Sequence, residues 1–364
     1  MKKLLGFVLA TGLLVALLTG CGGNTSGGNA SGGNNDATPA DSATEEQAAP
    51  AAGGRELSLS IGNPEGSDNY YKYKAFADKV GEVSGGALTV KIYASGTLAT
   101  DQEALEALMS GTVDFAHLTP AVAGGTIKDV AAMDLPGVFS YESQDDMTSF
   151  IEFEAKLHDT LDSIYADYNL KYLATNQSCQ AVIIANDVQV KSPADLKGKA
   201  YRTSGQYLGK LLESWGASAT SMDMSDLTTA FERNMIQGTL TAYGVVGSNK
   251  LYEVAPYVTY MNTTNSVASL IMNGDTWNSL SEEEQGWIEE AAAYYLEEGQ
   301  KVGQQYYTQY RQEFEDGGAS IYDLTPEEEA EFLAGTDAIF DEIEAGCTEK
   351  GVELINLIKE WNAK

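Results

Sequence analysis

Residues 57–93 read LSLSIGNPEGSDNYYKYKAFADKVGEVSGGALTVKIY, and their hydrophobic pattern indicates the fold class. Leu57 to Ile61 alternates between apolar and polar side chains, as a half-buried strand does. A turn rich in Gly and Pro follows, and Asn69 to Val83 then carries apolar residues at helical spacing. Leu88 to Tyr93 alternates again. The stretch therefore predicts strand, helix and strand in succession, the repeating unit of an α/β fold.

The same unit continues downstream and returns in a second block. Thr100 to Glu103 forms a capping box that predicts a helix ending at Met109, and Gly111 begins a third strand. The predicted elements of the second block are the strand Cys179–Ala185, the strand Lys199–Thr203, the helix Tyr207–Trp215, the helix Ser225–Gln237, the strand Thr239–Val246 and the strand Val267–Met272. Two such blocks predict two α/β domains with largely parallel strands.

The C-terminal third is predicted to be helical. A capping box at Ser281 opens a helical pattern that runs to about Glu315, longer than most helices of globular proteins. A helix of this length suits a brace between two α/β domains. We predict a bilobed α/β body with a hinge. Its first lobe comprises residues 55–178 plus 267–306, and its second lobe comprises residues 179–266 plus 307–364 with the C-terminal helices.

The N-terminal segment carries the pattern of an export signal. Met1-Lys2-Lys3 is positive, and the apolar run from Leu4 to Leu18 is shorter than the roughly 20 residues of a membrane-spanning helix. Leu18-Thr19-Gly20-Cys21 is similar to the lipobox of bacterial lipoproteins. That resemblance implies that residues 1–20 are a signal peptide and that Cys21 becomes lipid-modified. The alternative interpretation is an ordinary secretory signal with a chance cysteine.

Residues 21–54 predict a disordered tether. They are rich in Gly, Ser, Asn, Ala and Thr and contain no Lys or Arg, so they cannot bury a core. A flexible chain of about 33 residues spans on the order of 30 Å. We therefore expect the folded body to lie outside the cytoplasmic membrane, held to its outer face only by the acyl anchor on Cys21. This location is the cell surface in a Gram-positive host and the periplasm otherwise.

The charge and the cysteines narrow the classes of partner. The formal net charge is −31, which repels nucleic acid and anionic lipid surfaces. An anionic ligand would have to be held by a local cation. A disulfide between Cys179 and Cys347 is chemically possible outside the cell, but two distant cysteines do not define one from sequence. No further segment approaches the length of a membrane span, so we expect a soluble body.

Several segments in order resemble one protein family. They are Ser84–Val90 leading to Gly96-Thr97-Leu98, Gly111–Ala116 as "G-x-h-D-h" (h is apolar), Ala194–Arg202 as "DLKG-x-x-h-R", Ala230–Gly238 as "ALQ-x-G-x-V-D-G", and Trp277–Ser281. Together they resemble the extracytoplasmic solute-binding subunit of tripartite ATP-independent periplasmic (TRAP) transporters, over nearly the whole body from Leu57 onward. The resemblance implies a periplasmic-binding-protein-like fold. It also implies a small and a large membrane subunit as partners and uptake driven by an ion gradient.

The resemblance implies a ligand site between the lobes. In this family the arginine at the position of Arg202 holds the ligand's carboxylate, and a guanidinium suits bidentate binding of a carboxylate. The alternative is a surface arginine that pairs with one of the many acidic residues. Further ligand contacts are expected at positions that match less securely: Asn63, Asp101, Thr119, Met224 and Thr241.

Other candidates come from their place beside the expected cleft. His117 ends a strand there, and it either contacts ligand or satisfies a local hydrogen bond. Tyr201 and Tyr243 flank cleft segments and would suit a sugar-like ligand, unless they pack within the lobes. Gln180 stands about where some family members supply a second arginine. Since that second cation is missing, we expect one carboxylate on the ligand, as in a sugar acid or a hydroxy or keto acid.

The enzyme alternative has little support. His117 and His158 are the only histidines, and the body contains no GxSxG, P-loop or dinucleotide-binding motif and no metal-ligand spacing. We therefore expect neither a metal nor a cofactor, and a monomer that binds rather than converts its solute. Binding proteins of ATP-driven importers and of sensors share the bilobed architecture, so these functions remain open, and a hydrolase is a weaker alternative.

Overall fold

The computed structural model describes residues 54–139 and 147–363. The strands within these residues form one nine-stranded sheet. They are β1 (Arg55–Ser60), β2 (Leu88–Tyr93), β3 (Phe115–Leu118), β4 (Leu170–Ala185), β5 (Ala200–Thr203), β6 (Ser218–Ser221), β7 (Gly238–Ala242), β8 (Tyr257–Asn273) and β9 (Ser320–Asp323). Their order is β2-β1-β3-β8-β4-β7-β5-β6, with β9 beside β8.

The sheet has a parallel group of strands on each side. β1 pairs in parallel with β2 and β3, and β5 pairs in parallel with β6 and β7. We call the half built on β1, β2 and β3 lobe I, and the half built on β5, β6 and β7 lobe II. The predicted α/β fold with two parallel blocks is confirmed. The signal peptide predicted for residues 1–20 lies outside the described residues, as does the tether predicted for residues 21–54 except its last residue.

Two long antiparallel strands join the lobes. β4 has 16 residues and β8 has 17. β3 pairs with the end of β8, from Ser269 to Met272, whereas β7 pairs with the end of β4, from Ala181 to Ala185. The register between β4 and β8 shifts between Gln177 and Cys179, where the chain passes from one lobe to the other. Lobes I and II are therefore continuous through the middle of the sheet.

The sequence predicted only part of each long strand. Prediction began the first at Cys179 and the second at Val267, whereas the strands begin at Leu170 and Tyr257. Polar residues interrupt the apolar pattern of the missed part of β4, yet they are buried. The hydroxyl of Thr175 lies 2.7 Å from that of Ser269. Hydrogen bonds of this kind let polar residues occupy a central strand.

Helices cover both faces of the sheet. They are α1 (Asp68–Val83), α2 (Ala104–Met109), α3 (Pro120–Ala123), α4 (Met147–Ala166), α5 (Gln206–Ser214), α6 (Leu227–Glu232), α7 (Tyr243–Ser248), α8 (Gly274–Asn278), α9 (Glu282–Asp316), α10 (Pro326–Leu333), α11 (Thr336–Gly346) and α12 (Glu349–Asn362). Within the described ranges, none of these helices combines the length and the apolar character needed to cross a membrane. The predicted strand 239–246 ends early at Ala242, where α7 begins.

Successive residues of a central strand belong to separate hydrophobic cores on the two faces of the sheet. Val182 and Ile184 on β4 join the core under α6 and α7, whereas Ile183 between them joins the core under α4, α5 and α12. A further core in lobe I lies between β1 and the helices α1 and α9, and it contains Phe76 and Phe115. Burial on both faces explains why the central strands are so apolar.

Helix α9 spans both lobes without a break. It has 35 residues and begins at a capping box in which Ser281 and Glu284 hydrogen-bond each other's backbone. Tyr295 packs in the core of lobe I, and Phe314 packs in the core of lobe II. Between them Gly299 lies against the side chain of Asn176, where any larger residue would overlap it. The predicted long helix to about Glu315 is confirmed.

Candidate functional site

A cleft lies where the carboxyl ends of the parallel strands of the two lobes meet. β1 and β3 bring residues from lobe I, and β5 and β7 bring residues from lobe II. The cleft encloses about 750 Å³, part of it open to solvent. Ligands of open α/β sheets bind at the carboxyl ends of strands, so this cleft is the candidate ligand site.

Most of the predicted site residues line this cleft, and both lobes contribute to it. They are Asn63, Asp101, His117, Thr119, Arg202, Met224 and Thr241. Their positions follow from the topology, since they lie in the turns and strand ends that face the opposite lobe. Thr119 also caps α3, because its side chain accepts a hydrogen bond of 3.4 Å from the backbone N–H of Val122.

Three predicted residues are absent from the lining of the cleft. The amide of Gln180 donates to Oδ1 of Asn262 at 2.7 Å. Tyr201 is fully buried, and its ring fills the space beside Gly238. The hydroxyl of Tyr243 donates to the carbonyl oxygen of Gly303 at 2.8 Å, which ties α7 to α9. For the two tyrosines the structure matches the alternative interpretation, packing within the lobes.

Arg202 supplies the positive charge of the cleft. Its side chain is 5% exposed, and its Nε donates to the carbonyl oxygen of Met222 at 2.9 Å. Among the described residues, Arg202 has no carboxylate within 4.0 Å, and no other Lys or Arg lines the cleft. Burial lowers the pKa of the guanidinium to about 10, and Asp101 and Asp223 oppose that effect. At neutral pH it stays charged, and a buried charge without a partner favours binding of an anion.

Asp101 supplies the opposite charge. Its Oδ1 accepts a hydrogen bond of 3.1 Å from the backbone N–H of Gly62. A side chain at residue 62 would overlap this carboxylate, so the close approach requires glycine. The neighbouring Asn63 is 2% exposed, and its Oδ1 is buried without a hydrogen-bond partner in the described structure. These acceptors lie in lobe I and face the cleft that Arg202 enters from lobe II.

His117 lies in the wall of the same cleft, and its burial favours the neutral imidazole. It is 5% exposed, and its Nδ1 lies 3.0 Å from the hydroxyl of Tyr73. Burial lowers the pKa of the imidazole, although Asp101 opposes that effect. His117 therefore makes the local hydrogen bond of the alternative interpretation and also lines the cleft, and its contact with a ligand stays a prediction.

The sequence analysis missed several residues of the cleft. Asp134 ends a 3-10 helix and is 7% exposed. Burial raises the pKa of its carboxyl to about 8, so it carries its proton at neutral pH. Asn69 and Thr264 also line the cleft. The signal for Asp134 was an acidic residue inside the apolar run Val130–Leu135, where only a special environment keeps a carboxyl.

The mouth of the cleft is closed by contacts between the lobes. The side-chain amide of Gln102 in lobe I donates to the carbonyl oxygen of Ser204 in lobe II at 3.0 Å. A methyl group on Gly205 would overlap the backbone of Ala121. The lobes are therefore in van der Waals contact at this rim, as expected of a closed conformation.

The candidate metal ligands in the described part of the chain are His, Cys, Asp and Glu side chains. No group of three or more His, Cys, Asp or Glu side chains there is arranged to hold a metal ion. Asp101 acts electrostatically on both His117 and Arg202 in this cleft. Burial alone raises the pKa of Asp134, and no charged neighbour contributes to the rise.

Comparisons with known proteins agree with this geometry. A family model described as "Bacterial extracellular solute-binding protein, family 7" matches residues 59–346. The ectoine-binding periplasmic protein of Halomonas elongata is 26% identical over 56% of this chain, and the match spans only 60% of that protein's length. The C4-dicarboxylate-binding protein of Bacillus subtilis is 24% identical over 74% of this chain and 76% of its own.

The fold also matches solved structures. A TRAP periplasmic solute-binding protein from a Sulfitobacter species, solved with bound β-D-galacturonate, superposes with a TM-score of 0.76. The match covers 84% of this chain and 100% of that protein, at 19% sequence identity. At this identity the comparison supports the bilobed fold alone.

Proposed function

The chain belongs to the bacterial extracellular solute-binding proteins of family 7, and we propose that it captures a small carboxylate-bearing solute between its lobes. In this proposal the closed protein delivers the solute to a small and a large TRAP membrane subunit, which use an ion gradient for uptake. The protein binds its solute without converting it. Relatives named for ectoine and C4-dicarboxylate binding support the transport role.

One observation carries the proposal: Arg202 is a buried cation with no ion-pair partner in the described structure. It lies in a cleft between two lobes, at 5% exposure, with only its Nε bonded to a backbone oxygen. A solute carboxylate would pair with the guanidinium of Arg202 through two parallel hydrogen bonds. The desolvated pair would then hold the lobes together around the solute, because Asn63, Asp101 and Thr119 approach the same space from lobe I.

The lining favours a solute with a single carboxylate. Arg202 is the one Lys or Arg among the described residues of the cleft wall, whereas a dicarboxylate would bring two negative charges to it. Hydroxy, keto and sugar acids carry one carboxylate. Structural relatives bound to galacturonate and galactonate support this class. The hydroxyl and amide groups of Asn63, Asn69 and Thr241 would serve the solute's other polar atoms.

We also propose that the protein is a monomer anchored through Cys21. The family is extracellular, which supports export, and the lipobox-like segment 18–21 supports the anchor. Residues 21–54 would then act as a tether that keeps the body near its membrane subunits. Labelling cells with a radioactive fatty acid tests the anchor. Wild-type protein should take up label, whereas a Cys21→Ser variant should take up none.

The solute-binding proposal is tested at Arg202. Replacing Arg202 with Met should weaken binding of a monocarboxylate ligand by about 2–5 kcal/mol, the range for removing one member of a buried charge pair. Arg233→Met is the matched control, since Arg233 is exposed and distant from the cleft wall. Calorimetry that finds equal affinity for the two variants would remove Arg202 from the site. Mass spectrometry of solute carried through purification would identify the natural ligand.

A further inference from the structure

The cleft holds opposite charges that do not neutralise each other. Arg202 approaches from lobe II, and Asp101 approaches from lobe I. They influence each other electrostatically, yet no ion pair joins them within 4.0 Å in the described chain. Two opposite charges held apart across a cleft leave room for a ligand that pairs with both. A ligand with a carboxylate alone would leave Asp101 without a cation.

We propose that the solute is a zwitterion, whose carboxylate binds Arg202 and whose N–H-bearing cationic group binds Asp101 and Asn63. This inference rests on the proposed function, and it narrows the solute to a carboxylate with a protonated amine or amidinium. The absence of a second arginine would by itself also allow sugar, hydroxy and keto acids. Those acids are excluded here because they have no positive charge to pair with Asp101.

The cleft contains hydrogen-bond acceptors that an N–H-bearing cation could use, two of them in lobe I and one in the central strand β8. Gly62 holds Oδ1 of Asp101 through its backbone N–H. The next residue, Asn63, presents a buried Oδ1 that has no partner in the described structure. Thr264 also lines the cleft with a buried hydroxyl that lacks a partner there. A protonated amine donates up to three hydrogen bonds and accepts none, so it matches a cluster of acceptors.

The charge balance of the cleft points the same way. A simple monocarboxylate would add a negative charge to a closed space that already contains the Asp101 carboxylate. The surrounding protein is acidic as well, with a formal net charge of −31. A zwitterion adds no net charge, so it escapes the long-range repulsion. Inside the cleft each of its ends finds one opposite charge.

The apolar part of the lining excludes one kind of zwitterion. The described cleft wall contains Ala121, Val122, Leu208, Leu240 and Val245, and no Phe, Tyr or Trp side chain. Quaternary ammonium groups have no N–H and are commonly held by the faces of aromatic rings. The described wall of this cleft has no aromatic cage for such a group, and such a group could not donate hydrogen bonds to the buried acceptors. The cationic group is therefore one that donates hydrogen bonds.

Matched ligand sets test the proposal by calorimetry on the full-length protein, unfolded and refolded to remove carried solute. Each set contains a 2-hydroxy acid, the 2-amino acid of the same carbon skeleton and its N-trimethyl derivative, with linear and cyclic skeletons represented. The amino member of a set is expected to bind, and the other two members are expected to bind at least about ten-fold more weakly, since both lack the charged N–H group.

Variants then test whether Asp101 binds the cationic end of the ligand. Asp101→Asn keeps an oxygen for the N–H of Gly62, so the local backbone is retained. It should weaken the binding amino acid about 30-fold or more, and it should reduce the preference over the hydroxy acid. Asp341→Asn is the control, because Asp341 is an exposed carboxylate of α11 outside the cleft wall. It should bind as the wild type does.

Other outcomes separate the two proposals. Tighter binding of hydroxy or sugar acids than of the amino members would overturn the zwitterion inference and leave the proposed function intact. Equal binding of the N-trimethyl members would overturn the hydrogen-bonding role of Asp101 and Asn63, as would a normal affinity of Asp101→Asn. Failure of every carboxylate to bind, with no carboxylate solute carried through purification, would overturn both proposals.

Discussion

The side-chain amide of Gln102 donates a hydrogen bond of 3.0 Å to the carbonyl oxygen of Ser204, and this bond joins lobe I to lobe II across the mouth of the cleft. Beside it Gly205 meets the backbone of Ala121 so closely that a methyl group would overlap it. The close approach of the lobes therefore depends on a small residue at the rim, and Gly205 is not itself part of the described cleft lining.

Gly205→Ala should hinder closure without removing any ligand contact. Overpacking of a tight contact costs about 1–3 kcal/mol, and this cost should appear as weaker solute binding. X-ray scattering should show a smaller decrease in radius of gyration on adding solute than in the wild type. Gly125→Ala is the control, because a methyl group there meets only an ordinary contact at 3.7 Å. Wild-type compaction in Gly205→Ala would refute the close approach at the rim.

Asp134 should make the stability of the protein depend on pH. Its carboxyl has a pKa of about 8 in the fold against 3.8 for the ordinary group, owing to burial. Between these pH values the folded state keeps the proton that the unfolded state has lost, so stability falls as the pH rises. Compared with wild type, Asp134→Asn should therefore gain up to about 5 kcal/mol of unfolding free energy between pH 4 and pH 8.

Urea unfolding of wild type and Asp134→Asn at several pH values measures that difference. The gain should increase steadily through the acidic range and level off above pH 8, the folded-state pKa. Asp341→Asn, which removes an exposed carboxyl, should give a difference that hardly varies with pH. A constant difference between wild type and Asp134→Asn would show that Asp134 ionises normally in the fold.

A buried ion pair in α1 should be important for stability. Lys72 and Asp68 are 1% and 0% exposed, with Nζ and Oδ2 3.4 Å apart. Lys72 also donates to the carbonyl oxygen of Gln177 at 3.1 Å, where the register of β4 shifts. Lys72→Met should destabilise the protein by about 3–5 kcal/mol, because Asp68 would remain buried without its cation.

The same helix supplies the control for that prediction. Lys74 and Asp78 form an exposed pair of the same sequence spacing, and Lys74→Met should cost about 0–1 kcal/mol. Denaturant unfolding of both variants gives the comparison. Equal, small losses would mean that the Lys72 pair is solvated in the folded protein. Adding Asp68→Leu to Lys72→Met should recover part of the loss, since the unpaired charge is then gone.

The cap of α9 should contribute measurably to the stability of the helix that spans both lobes. Ser281→Ala removes the side-chain oxygen that accepts from the backbone N–H of Glu284. The expected loss is about 0.5–2 kcal/mol of unfolding free energy. Thr308→Ala, at an exposed position inside the same helix, should stay within about 0.5 kcal/mol of wild type. A smaller effect at Ser281 than at Thr308 would contradict a role for this cap.

The fold was predicted from local patterns in the sequence. Alternation at Leu57–Ile61, helical spacing in Asn69–Val83 and the capping box at Ser281 depend on neighbours within a few residues, so the sequence shows them directly. The long strands were harder. Their missed parts contain polar residues such as Thr175, whose burial depends on a partner more than ninety positions away. No local pattern indicates such a partner.

The site was predicted less completely than the fold. Tyr201 and Arg202 are consecutive in β5, and side chains alternate between the faces of a strand. Only one of them enters the cleft, and strand geometry alone would have removed Tyr201 from the candidates. Asp134 was missed although an acidic residue inside the apolar run Val130–Leu135 was a signal for it, and only the structure shows the burial that raises its pKa. The remaining predicted contacts depend on ligand binding and stay predictions.

The pairing of β3 with β8 also affects the order in which the newly synthesised chain can fold. Ala116 of β3 lies opposite Ile271 of β8, so the lobe whose strands are synthesised first is completed only after most of the chain has followed. Such distant pairings slow folding, since a long loop must close before they form. A chain cut short before Asn273 therefore loses more than its own end. It leaves β3 without a neighbour on one side and the first half of the protein unfinished.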